Sequence, residues 1–263
     1  MTDYSGILVT RSDDHVATIT INRPAAMNSF DWDMCLDFQR VWREMIEDAS
    51  VHAIVLRASP GRAFSTGRDV RKKESVSGSD HVWDMRDPGE WLGPKQNRCW
   101  KPVIAAVHGL CAGGAFYWIN ECDIVICSED AQFFDPHVTF GKVSALEPIG
   151  MRWRIPLGEV LRIALLGNDE RICAATALRS GLVSEVVKAE CLWPRAHQIA
   201  ARVAAKPAVA VQGTVRAIWE SLDMSRSIGI QNGVKYTQLG NSQAAARVDP
   251  EAIMASVKTF EVR

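Results

Sequence analysis

The sequence lacks an excess of charge of one sign, because its 263 residues carry 30 Lys and Arg against 31 Asp and Glu. A net charge of −1 argues against the broad positive surface that binds nucleic acid or an anionic membrane. The seven cysteines form no CxxC pair and are odd in number, which argues against a disulfide framework or a structural zinc site. Residues 1–14 show no apolar segment typical of a signal peptide. We therefore expect a cytoplasmic protein with no nucleic-acid or membrane partner.

Long uncharged segments are also scarce, and residues 103–120 are the stretch to consider as a membrane span. This stretch changes from a β-branched run to a helical pattern at a glycine-rich turn, and it contains His108. A buried strand, a turn and a buried helix explain this pattern better than a membrane span does.

The remaining composition is typical of a folded domain, with 47% hydrophobic and 23% charged residues. Apolar and β-branched segments predict strands at 7–10, 16–21, 53–57, 103–107, 124–127 and 182–187. Helical periodicity predicts helices at 31–48, 196–205, 208–222 and 250–260, the first of them capped by Asn28 or Ser29. Predicted strands and helices alternate in the first part of the chain, and only helices are predicted in the last part. This order predicts an α/β core with a helical appendage.

Two turns that contain glycine follow predicted strands, at residues 64–69 and 109–115, and we expect each to lead into a helix. A helix N-terminus presents unpaired backbone N–H groups, and glycine lets a ligand approach the backbone closely. Two such N–H donors aimed at one point would form an oxyanion hole. Alternatively, the glycines only allow turns and close packing. Neither turn matches the GxGxxG or GxxxxGK[ST] nucleotide-binding pattern.

Short motifs occur in a fixed order along the chain. They are Asn22-Arg23-Pro24, the segments 63–69 (AFSTGRD) and 101–107 (KPVIAAV), the turn 109–114 (GLCAGG), Cys122-Asp123 and 131–133 (AQF). Together these motifs resemble the crotonase superfamily, the enoyl-CoA hydratase/isomerase family. The resemblance extends over nearly the whole chain.

This resemblance implies an α/β fold, the ClpP/crotonase-like spiral of repeated ββα units, with an acyl-CoA site in residues 1–195. It implies that residues 196–263 form a helical region through which subunits assemble into trimers or hexamers. The ligand would be an acyl-CoA thioester, with no cofactor beyond its CoA moiety and no metal. The backbone N–H groups of Arg68 and Gly114 would hold the thioester oxygen. A methyl group added at position 114 would then enter the space of the ligand.

The resemblance also places CoA or substrate contacts along the two turns and after the second strand. The residues concerned are Arg23, Ala25, Phe64, Thr66, Gly67, Arg68, Asp69, Val70, Arg71, Leu110 and Gly113. Arg68 stands where the family usually has a small residue, and its guanidinium would reach a phosphate or an acyl carboxylate. Arg71, with Lys72 and Lys73, would meet the CoA phosphates or would form a solvated charged face.

The sequence departs from the family at two catalytic positions. Hydratases of the family use two glutamates to place and activate water, and the corresponding positions hold Tyr117 and His137. A phenol with a pKa of about 10 is a poor base at neutral pH, whereas an imidazole near about 6.5 is a good one. These replacements argue against ordinary hydration of a short enoyl-CoA. We rank the proton-transfer candidates in the order His137, Glu147, Tyr117 and Asp135, and Asp135 could orient His137. The alternative for His137 is a histidine that only packs, and the alternative for Glu147 is a surface or structural role.

The predicted function is that of a hydratase/isomerase-like enzyme that stabilises a thioester enolate, within fatty-acid metabolism. Isomerisation, dehydration or ring-opening hydrolysis of a bulky acyl-CoA remain open, and so does a non-catalytic acyl-CoA-binding subunit. Trp83, Trp91 and Trp100 would either line a pocket for a bulky or cyclic acyl group or pack in the core.

Overall fold

The computed structural model describes residues 4–71, Trp83, residues 87–244 and five isolated positions near the C-terminus (249, 251, 254, 261 and 262). Lys72, Lys73 and most of the predicted helix at 250–260 lie outside the described residues. Within the described part of the chain, no helix is both long and apolar enough to cross a membrane.

Ten strands are present among the described residues. In chain order they are β1 (Ile7–Arg11), β2 (Val16–Ile21), β3 (Ala53–Ala58), β4 (Ala63–Ser65), β5 (Val103–Val107), β6 (Leu110–Ala112), β7 (Ile124–Ser128), β8 (Gln132–Phe134), β9 (Ile172–Cys173) and β10 (Glu185–Val187). The predicted strands at 16–21 and 103–107 are confirmed, and those at 7–10, 53–57 and 124–127 are confirmed with one residue more. The prediction at 182–187 holds only for its last three residues.

Nine helices accompany the strands in the part of the chain that is described. They are α1 (Trp32–Glu47), α2 (Gly89–Leu92), α3 (Phe116–Ile119), α4 (Leu146–Met151), α5 (Leu157–Leu166), α6 (Ala174–Ser180), α7 (Leu192–Ala204), α8 (Ala208–Ser221) and α9 (Arg226–Ala244). The turn at 64–69 does not lead directly into a helix, because residues 66–71 are irregular. The turn at 109–115 does, through a 3₁₀ turn at Gly113–Ala115 that continues into α3.

The larger sheet has six strands in the order β1-β2-β3-β5-β7-β10. All neighbours run parallel except β1 and β2, which form an antiparallel pair. Strand β5 is buried along its whole length, and its sequence VIAAV suits a parallel strand that is covered on both faces. This sheet carries the predicted α/β core.

A second sheet of four short strands, β4-β6-β8-β9, was not predicted from the sequence. Each of β4, β6 and β8 follows a strand of the larger sheet, and a helix follows β6 and β8 after a short connection. The parallel pairs β4–β6 and β6–β8 therefore stack the repeated ββα units of a spiral. Strands of three residues are too short to show an alternating apolar pattern, so residues 109–114 read as a plain turn.

Helix α1 begins one residue later than predicted and has a different cap. The side chain of Asp31 accepts a hydrogen bond from the Met34 N–H at 3.1 Å, which makes Asp31 the N-cap. The prediction of Asn28 or Ser29 was wrong. Asn28 is buried and instead links two segments, because its side chain accepts from Arg23 N–H and donates to Ala63 C=O.

The chain divides into two compact units, Met1–Ala205 and Lys206–Arg263. Helix α7 belongs to the first unit, because its buried residues Leu192, Ala196 and Ala200 pack with buried residues of β3 and β5. The observed division therefore falls after Ala205, beyond the predicted boundary at residue 195. In the second unit α8 and α9 pack against each other. Assembly into trimers or hexamers stays a prediction.

Trp42 joins α1 to α2 and offers a test of the core. Its ring is fully buried, and its indole N–H donates to the Leu92 carbonyl at 2.9 Å. We expect Trp42→Phe to lower the free energy of unfolding by about 1–3 kcal/mol, because the buried carbonyl loses its donor. Urea unfolding followed by circular dichroism at fixed protein concentration measures this change. Arg43→Ala, an exposed change on the same helix, should stay within about 0.5 kcal/mol, and equal losses for both variants would contradict the assignment.

Candidate active site

A cavity of about 860 Å³ opens beside the second sheet, in the first unit. Of the predicted site residues, those that line it are Ala25, Thr66, Arg68, Asp69, Val70, Arg71, Leu110, Gly113, Gly114, Tyr117, His137 and Glu147. The structure thus brings together both glycine turns and three of the four predicted proton-transfer groups.

The other four predicted residues lie behind the cavity wall. Phe64 and Asp135 are completely buried, and Gly67 contributes only backbone beside Gly114. Arg23 lies within 3.1 Å of Asp31 and 3.3 Å of Asp69 and donates to the Ser29 carbonyl. These four residues support the wall of the cavity.

The two glycine turns meet at Gly67 and Gly114. Gly67 has a φ of +79°, and a Cβ there would lie 2.7 Å from the Gly114 nitrogen and 3.0 Å from the Ala112 oxygen. No side chain fits in this space, and the left-handed φ also favours glycine. The backbones of the two turns can therefore touch only because position 67 is glycine.

Backbone pairing with Phe30 orients the amide of Arg68. Phe30 N–H donates to the Gly67 carbonyl, and Asp69 N–H donates to the Phe30 carbonyl, which makes a parallel bridge between Phe30 and Arg68. Successive N–H groups of an extended segment point to opposite sides, so the Arg68 N–H points away from Phe30. Arg68 and Gly114 both line the cavity.

The side of Gly114 that would carry a methyl group faces protein rather than ligand. A Cβ at Gly114 would lie 2.7 Å from Cε1 and 2.8 Å from Cζ of the Phe30 ring. The prediction that a methyl at position 114 enters the ligand space was therefore wrong. Phe30 and Gly114 are far apart in the sequence, and no local sequence pattern predicts that they come into contact.

Asp135 and His137 form a tightly bonded pair at the cavity wall. The Asp135 carboxylate accepts hydrogen bonds from His137 Nδ1–H at 2.5 Å, from the His137 backbone N–H at 3.0 Å and from Ser144 Oγ–H at 2.7 Å. Burial alone would raise the pKa of Asp135, but these bonds outweigh it and lower that pKa. The hydrogen bond to Asp135 in turn raises the pKa of His137, against partial burial. Asp135 therefore fixes the ring of His137 and strengthens it as a base.

Glu147 stands next to the free edge of this imidazole. Its Oε1 lies 3.8 Å from His137 Nε2, and the residue is 4% exposed. Burial raises the pKa of Glu147, and the charges of Asp135 and Asp87 act in the same direction. His137 Nε2 and the Glu147 carboxyl thus face the same small volume of the cavity.

Tyr117 lies against two carboxyl groups. Its hydroxyl donates to Asp87 Oδ2 at 3.0 Å, and the Glu147 carboxyl also lines this part of the cavity. Burial and both neighbouring carboxyl charges raise the pKa of Tyr117, which keeps the phenol protonated. The pKa of Asp87 is also raised, chiefly by burial. Tyr117 is therefore a hydrogen-bonding group rather than a base.

Several cations lie around the cavity. Arg71 makes two hydrogen bonds to Asp69, at 3.0 and 3.1 Å, and its side chain is largely exposed. Arg171 lies over the Phe134 ring at 4.4 Å and donates to Gln132. Lys142 lines the cavity and acts to lower the pKa of His137. The prediction that Arg71 meets CoA phosphates stays a prediction.

Sequence reasoning missed part of the cavity wall. The missed residues include Met27, Phe30, Asp87, Phe134, Phe140, Lys142, Asn168 and Arg171. Most of them come from segments far from the glycine turns, and only Phe134 adjoins a quoted motif. None of Trp83, Trp91 and Trp100 lines the cavity, and Trp91 instead packs edge-on against Trp32, so the pocket-lining hypothesis for these tryptophans was wrong within the described residues.

The donor atoms of Asp135, His137 and Glu147 lie within 4.8 Å of one another. Hydrogen bonds from His137 and Ser144 already satisfy the Asp135 carboxylate. The predictions of no metal and of no cofactor beyond the CoA moiety stay predictions.

Comparison with known proteins decides the family. The sequence profile described as enoyl-CoA hydratase/isomerase matches residues 11–246. The chain belongs to the enoyl-CoA hydratase/isomerase family. The resemblance stated from the motifs is thereby confirmed, and the chain is an enoyl-CoA hydratase/isomerase-like enzyme.

Relatives within the family include both hydratases and isomerases. The (E)-benzylidenesuccinyl-CoA hydratase of Thauera aromatica is 32% identical over 228 residues, which is 86% of each chain. The mitochondrial Δ(3,5)-Δ(2,4)-dienoyl-CoA isomerase of Homo sapiens is 33% identical over 284 residues, covering 99% of this chain and 81% of the human one. An enoyl-CoA hydratase/isomerase structure from Mycobacterium paratuberculosis superposes with a TM-score of 0.87 at 31% identity, over 99% of this chain and 100% of that one. The predicted crotonase fold is confirmed.

The Asp135–His137 pair gives a pH prediction within this family site. We expect the His137 ring to titrate above its ordinary value, because the ionised Asp135 stabilises the protonated imidazole. Asp135→Asn should move the titration midpoint to lower pH, and Lys142→Gln should move it slightly higher, since Lys142 opposes protonation. NMR titration of the His137 ring protons, assigned with His137→Gln, measures both shifts. An unchanged midpoint in Asp135→Asn would show that the carboxylate does not control His137.

Proposed function

We propose that this enzyme adds water to, or removes it from, an α,β-unsaturated acyl-CoA thioester through an enolate. The observation that carries the proposal is the facing pair of His137 Nε2 and Glu147 Oε1, 3.8 Å apart, in the cavity that Arg68 and Gly114 also line. A Cβ on Gly113 would lie 3.7 Å from His137 Cε1, so the imidazole adjoins the second glycine turn. Proton-transfer groups and candidate oxyanion donors thus share one wall.

The backbone N–H groups of Arg68 and Gly114 are proposed to hold the thioester oxygen. The contact of Gly67 with Gly114 brings the two turns together, and the bridge with Phe30 directs the Arg68 N–H away from Phe30. As electrons move onto the thioester oxygen, two fixed donors stabilise the developing charge in a site partly closed to water. The charge of Arg68 is not needed for this role, because only its main chain takes part.

His137 and Glu147 are proposed to replace the two hydratase glutamates. In the direction of hydration, the water oxygen bonds to Cβ while the C=C electrons move to the thioester oxygen. His137, strengthened by Asp135, takes the proton released by water, and a proton passes from the other group to Cα as the enolate collapses. Dehydration is the reverse, so no oxidant, metal or further cofactor enters the balance.

A double-bond shift is the second candidate reaction. Two proton-transfer groups side by side can remove a proton from one carbon and return it to another without any water being added. The 33% identity with the human dienoyl-CoA isomerase, over 99% of this chain, favours this reaction as a rival. A non-catalytic acyl-CoA-binding role is a further outcome that the same experiment separates. Ring-opening hydrolysis is tested by adding a cyclic 3-oxoacyl-CoA to the same incubations.

The cavity wall favours a large apolar acyl group. Phe30, Tyr117, Phe134 and Phe140 supply aromatic surface, and Arg68 supplies a charge suited to an acyl carboxylate or a phosphate. The Thauera relative is named for a benzylidenesuccinyl thioester, which combines an aromatic ring with a carboxylate. We further propose assembly as a trimer or hexamer and a cytoplasmic location within fatty-acid metabolism, although some relatives are named as mitochondrial or peroxisomal.

One isotope experiment tests the reaction. The enzyme is incubated with crotonyl-, 2-decenoyl- and cinnamoyl-CoA in H₂¹⁸O and separately in D₂O, and the products are analysed by mass spectrometry. We expect ¹⁸O and one deuterium in a 3-hydroxyacyl-CoA, with crotonyl-CoA slower than the larger substrates. Each bound thioester should also raise the melting temperature, because it prefers the native state.

Matched variants decide which groups carry the chemistry. His137→Gln and Glu147→Gln should each lower turnover by about 10²–10⁴-fold, the usual worth of an acid or base. Glu159→Gln, at a half-buried position that does not line the cavity, should not. Deuterium in a positional isomer without ¹⁸O would assign the double-bond shift instead. Thermal stabilisation without any isotope uptake would indicate a binding subunit, and no stabilisation would contradict the acyl-CoA site.

Removing the Gly114 N–H tests the proposed oxyanion hole. Any Cβ at position 114 collides with Phe30, so the comparison is made in a Phe30→Leu background, which removes the atoms in contact. We expect Gly114→Pro, which lacks the N–H, to turn over about 10²–10³ times more slowly than Gly114→Ala, which keeps it. The kcat of each double variant with the best substrate above provides the measurement.

Both double variants carry a Cβ, so they differ in the N–H donor, which proline replaces with its ring Cδ, and in the fixed φ of proline. Equal melting temperatures and equal oligomer sizes are required for the comparison. Equal kcat values in two well-folded variants would remove Gly114 from the oxyanion hole.

A further inference from the structure

Asn120 is the C-cap of α3, and its side chain reaches across to α4. The side-chain NH₂ group donates to the backbone carbonyl of Glu147 at 2.9 Å, and the two residues lie 27 positions apart in the sequence. Both residues are buried, but only Glu147 lines the cavity. This hydrogen bond therefore joins the end of one helix to the residue that carries a proposed proton-transfer group.

Gly150 allows the two helices to come this close. A Cβ at Gly150 would lie 2.5 Å from Nδ2, 3.0 Å from Cγ and 3.1 Å from Cβ of Asn120. The Asn120 amide therefore packs directly on the backbone of α4. Since residues three apart lie on the same face of a helix, one face of α4 provides both the space for the amide and the carbonyl of Glu147 that it binds.

Arg154, which follows α4, fixes the backbone of Asn120. Its Nε–H donates to the Asn120 carbonyl at 3.1 Å, and its guanidinium also donates to the Cys122 carbonyl. The end of α3 is thus bonded to the start of α4 through the Asn120 side chain, and to the segment after α4 through Arg154. The Asn120 amide consequently reaches Glu147 from a backbone that is itself held in place.

The oxygen of the Asn120 amide argues that this side chain does more than stabilise the fold. Oδ1 is buried and has no hydrogen-bond partner in the part of the chain that the structure describes. A buried acceptor without a partner is unfavourable, and an apolar side chain of similar size would avoid it. An apolar side chain could not supply the hydrogen bond to Glu147.

The position of the Glu147 backbone determines where its carboxyl lies. The Glu147 side chain is buried, so close packing leaves it little freedom to compensate for a shift of its backbone. Its Oε1 lies 3.8 Å from His137 Nε2. Two observed contacts, from Asn120 to Glu147 and from Glu147 to His137, thus connect the end of α3 to the proposed proton-transfer pair.

We propose that Asn120 is a positioning residue, which holds the backbone of Glu147 so that the Glu147 carboxyl faces His137. This inference rests on the proposed function and deepens it, because it explains how a carboxyl group from α4 is kept beside the imidazole. Asn120 acts on the reaction only through Glu147.

The substitution Asn120→Leu removes the donor and keeps a side chain of similar size. It also removes the unpartnered Oδ1, so we expect a melting temperature close to that of the wild type. With the best substrate of the isotope experiment, kcat should fall by about 10²-fold, the effect of misplacing a reacting group by about 1 Å. KM should stay nearly unchanged, because Asn120 does not line the cavity.

A double-mutant cycle with Glu147→Gln separates this role from a general loss of structure. Because Asn120 acts through the Glu147 carboxyl, adding Asn120→Leu to Glu147→Gln should lower kcat little further. Asn97→Leu is the matched control, since the Asn97 NH₂ group donates to the backbone carbonyls of Glu90 and Trp91 in α2 and the residue does not line the cavity. This control should lower the melting temperature and leave kcat close to that of the wild type.

Crystal structures of the wild type and of Asn120→Leu, both without ligand, measure the placement of Glu147 and need no substrate. We expect the separation between Glu147 Oε1 and His137 Nε2 to lengthen by about 1 Å in the variant, the misplacement that corresponds to the expected loss of rate. If Asn120→Leu does not fold, the smaller Asn120→Ala takes its place in both measurements.

The outcomes distinguish the inference from the proposed function. An unchanged separation would overturn the inference, and so would an equal fractional loss of kcat when Asn120→Leu is added to the wild type and to Glu147→Gln. Failure of both Asn120 variants to fold would make Asn120 a structural residue and would also overturn it. A lengthened separation in an enzyme without turnover would overturn the proposed function alone, and wild-type turnover despite a lengthened separation would remove Glu147 from the proposed reaction.

Discussion

The site depends on the contact between the backbones of Gly67 and Gly114, where no side chain can intervene. A Cβ on Gly67 would lie 2.7 Å from the Gly114 nitrogen, and a Cβ on Gly114 would lie 2.7 Å from the Phe30 ring. The parallel pairing of β4 with β6 brings the two turns to this distance, and the left-handed φ of Gly67 completes the turn. One short strand pair and two glycines thus determine which backbone amides reach the cavity.

Three carboxyl groups near this contact differ in the direction of their pKa shifts because their hydrogen-bond partners differ. Asp135 receives three hydrogen bonds, which outweigh complete burial and lower its pKa. Glu147 and Asp87 receive fewer bonds, and burial raises the pKa of both. The replacement of two glutamates by Tyr117 and His137 therefore leaves an imidazole whose pKa is raised by Asp135 beside a buried carboxyl group, Glu147, whose pKa is raised by burial.

The sequence was informative where a local pattern determines the structure. Strand β5 was predicted because five consecutive buried residues form an apolar β-branched run, and the glycine turns were predicted because glycine marks tight backbone conformations. The second sheet was missed because three residues cannot show a periodicity, and the end of the first unit was misplaced because α7 packs on β3 and β5 through alanines. Asp87 was missed for a different reason: its partner Tyr117 is 30 residues away, and only the folded chain joins them.

The proposed oxyanion donors belong to the backbone, whereas the proposed proton-transfer groups belong to side chains. This difference bears on how one family can contain both hydratases and isomerases. Donors supplied by the main chain do not depend on side-chain identity, so Arg68 can replace a small residue without removing the proposed N–H. Proton-transfer groups are side chains, and a single substitution changes their pKa, their reach and the carbon that they serve. The position of a carboxyl group can also change, since Glu147 approaches His137 from α4, away from the glycine turns. In the proposed reaction, the strand pair β4–β6 positions the backbone donors that stabilise the enolate, and α3, α4 and the loop at Asp135 carry the side chains that move its protons.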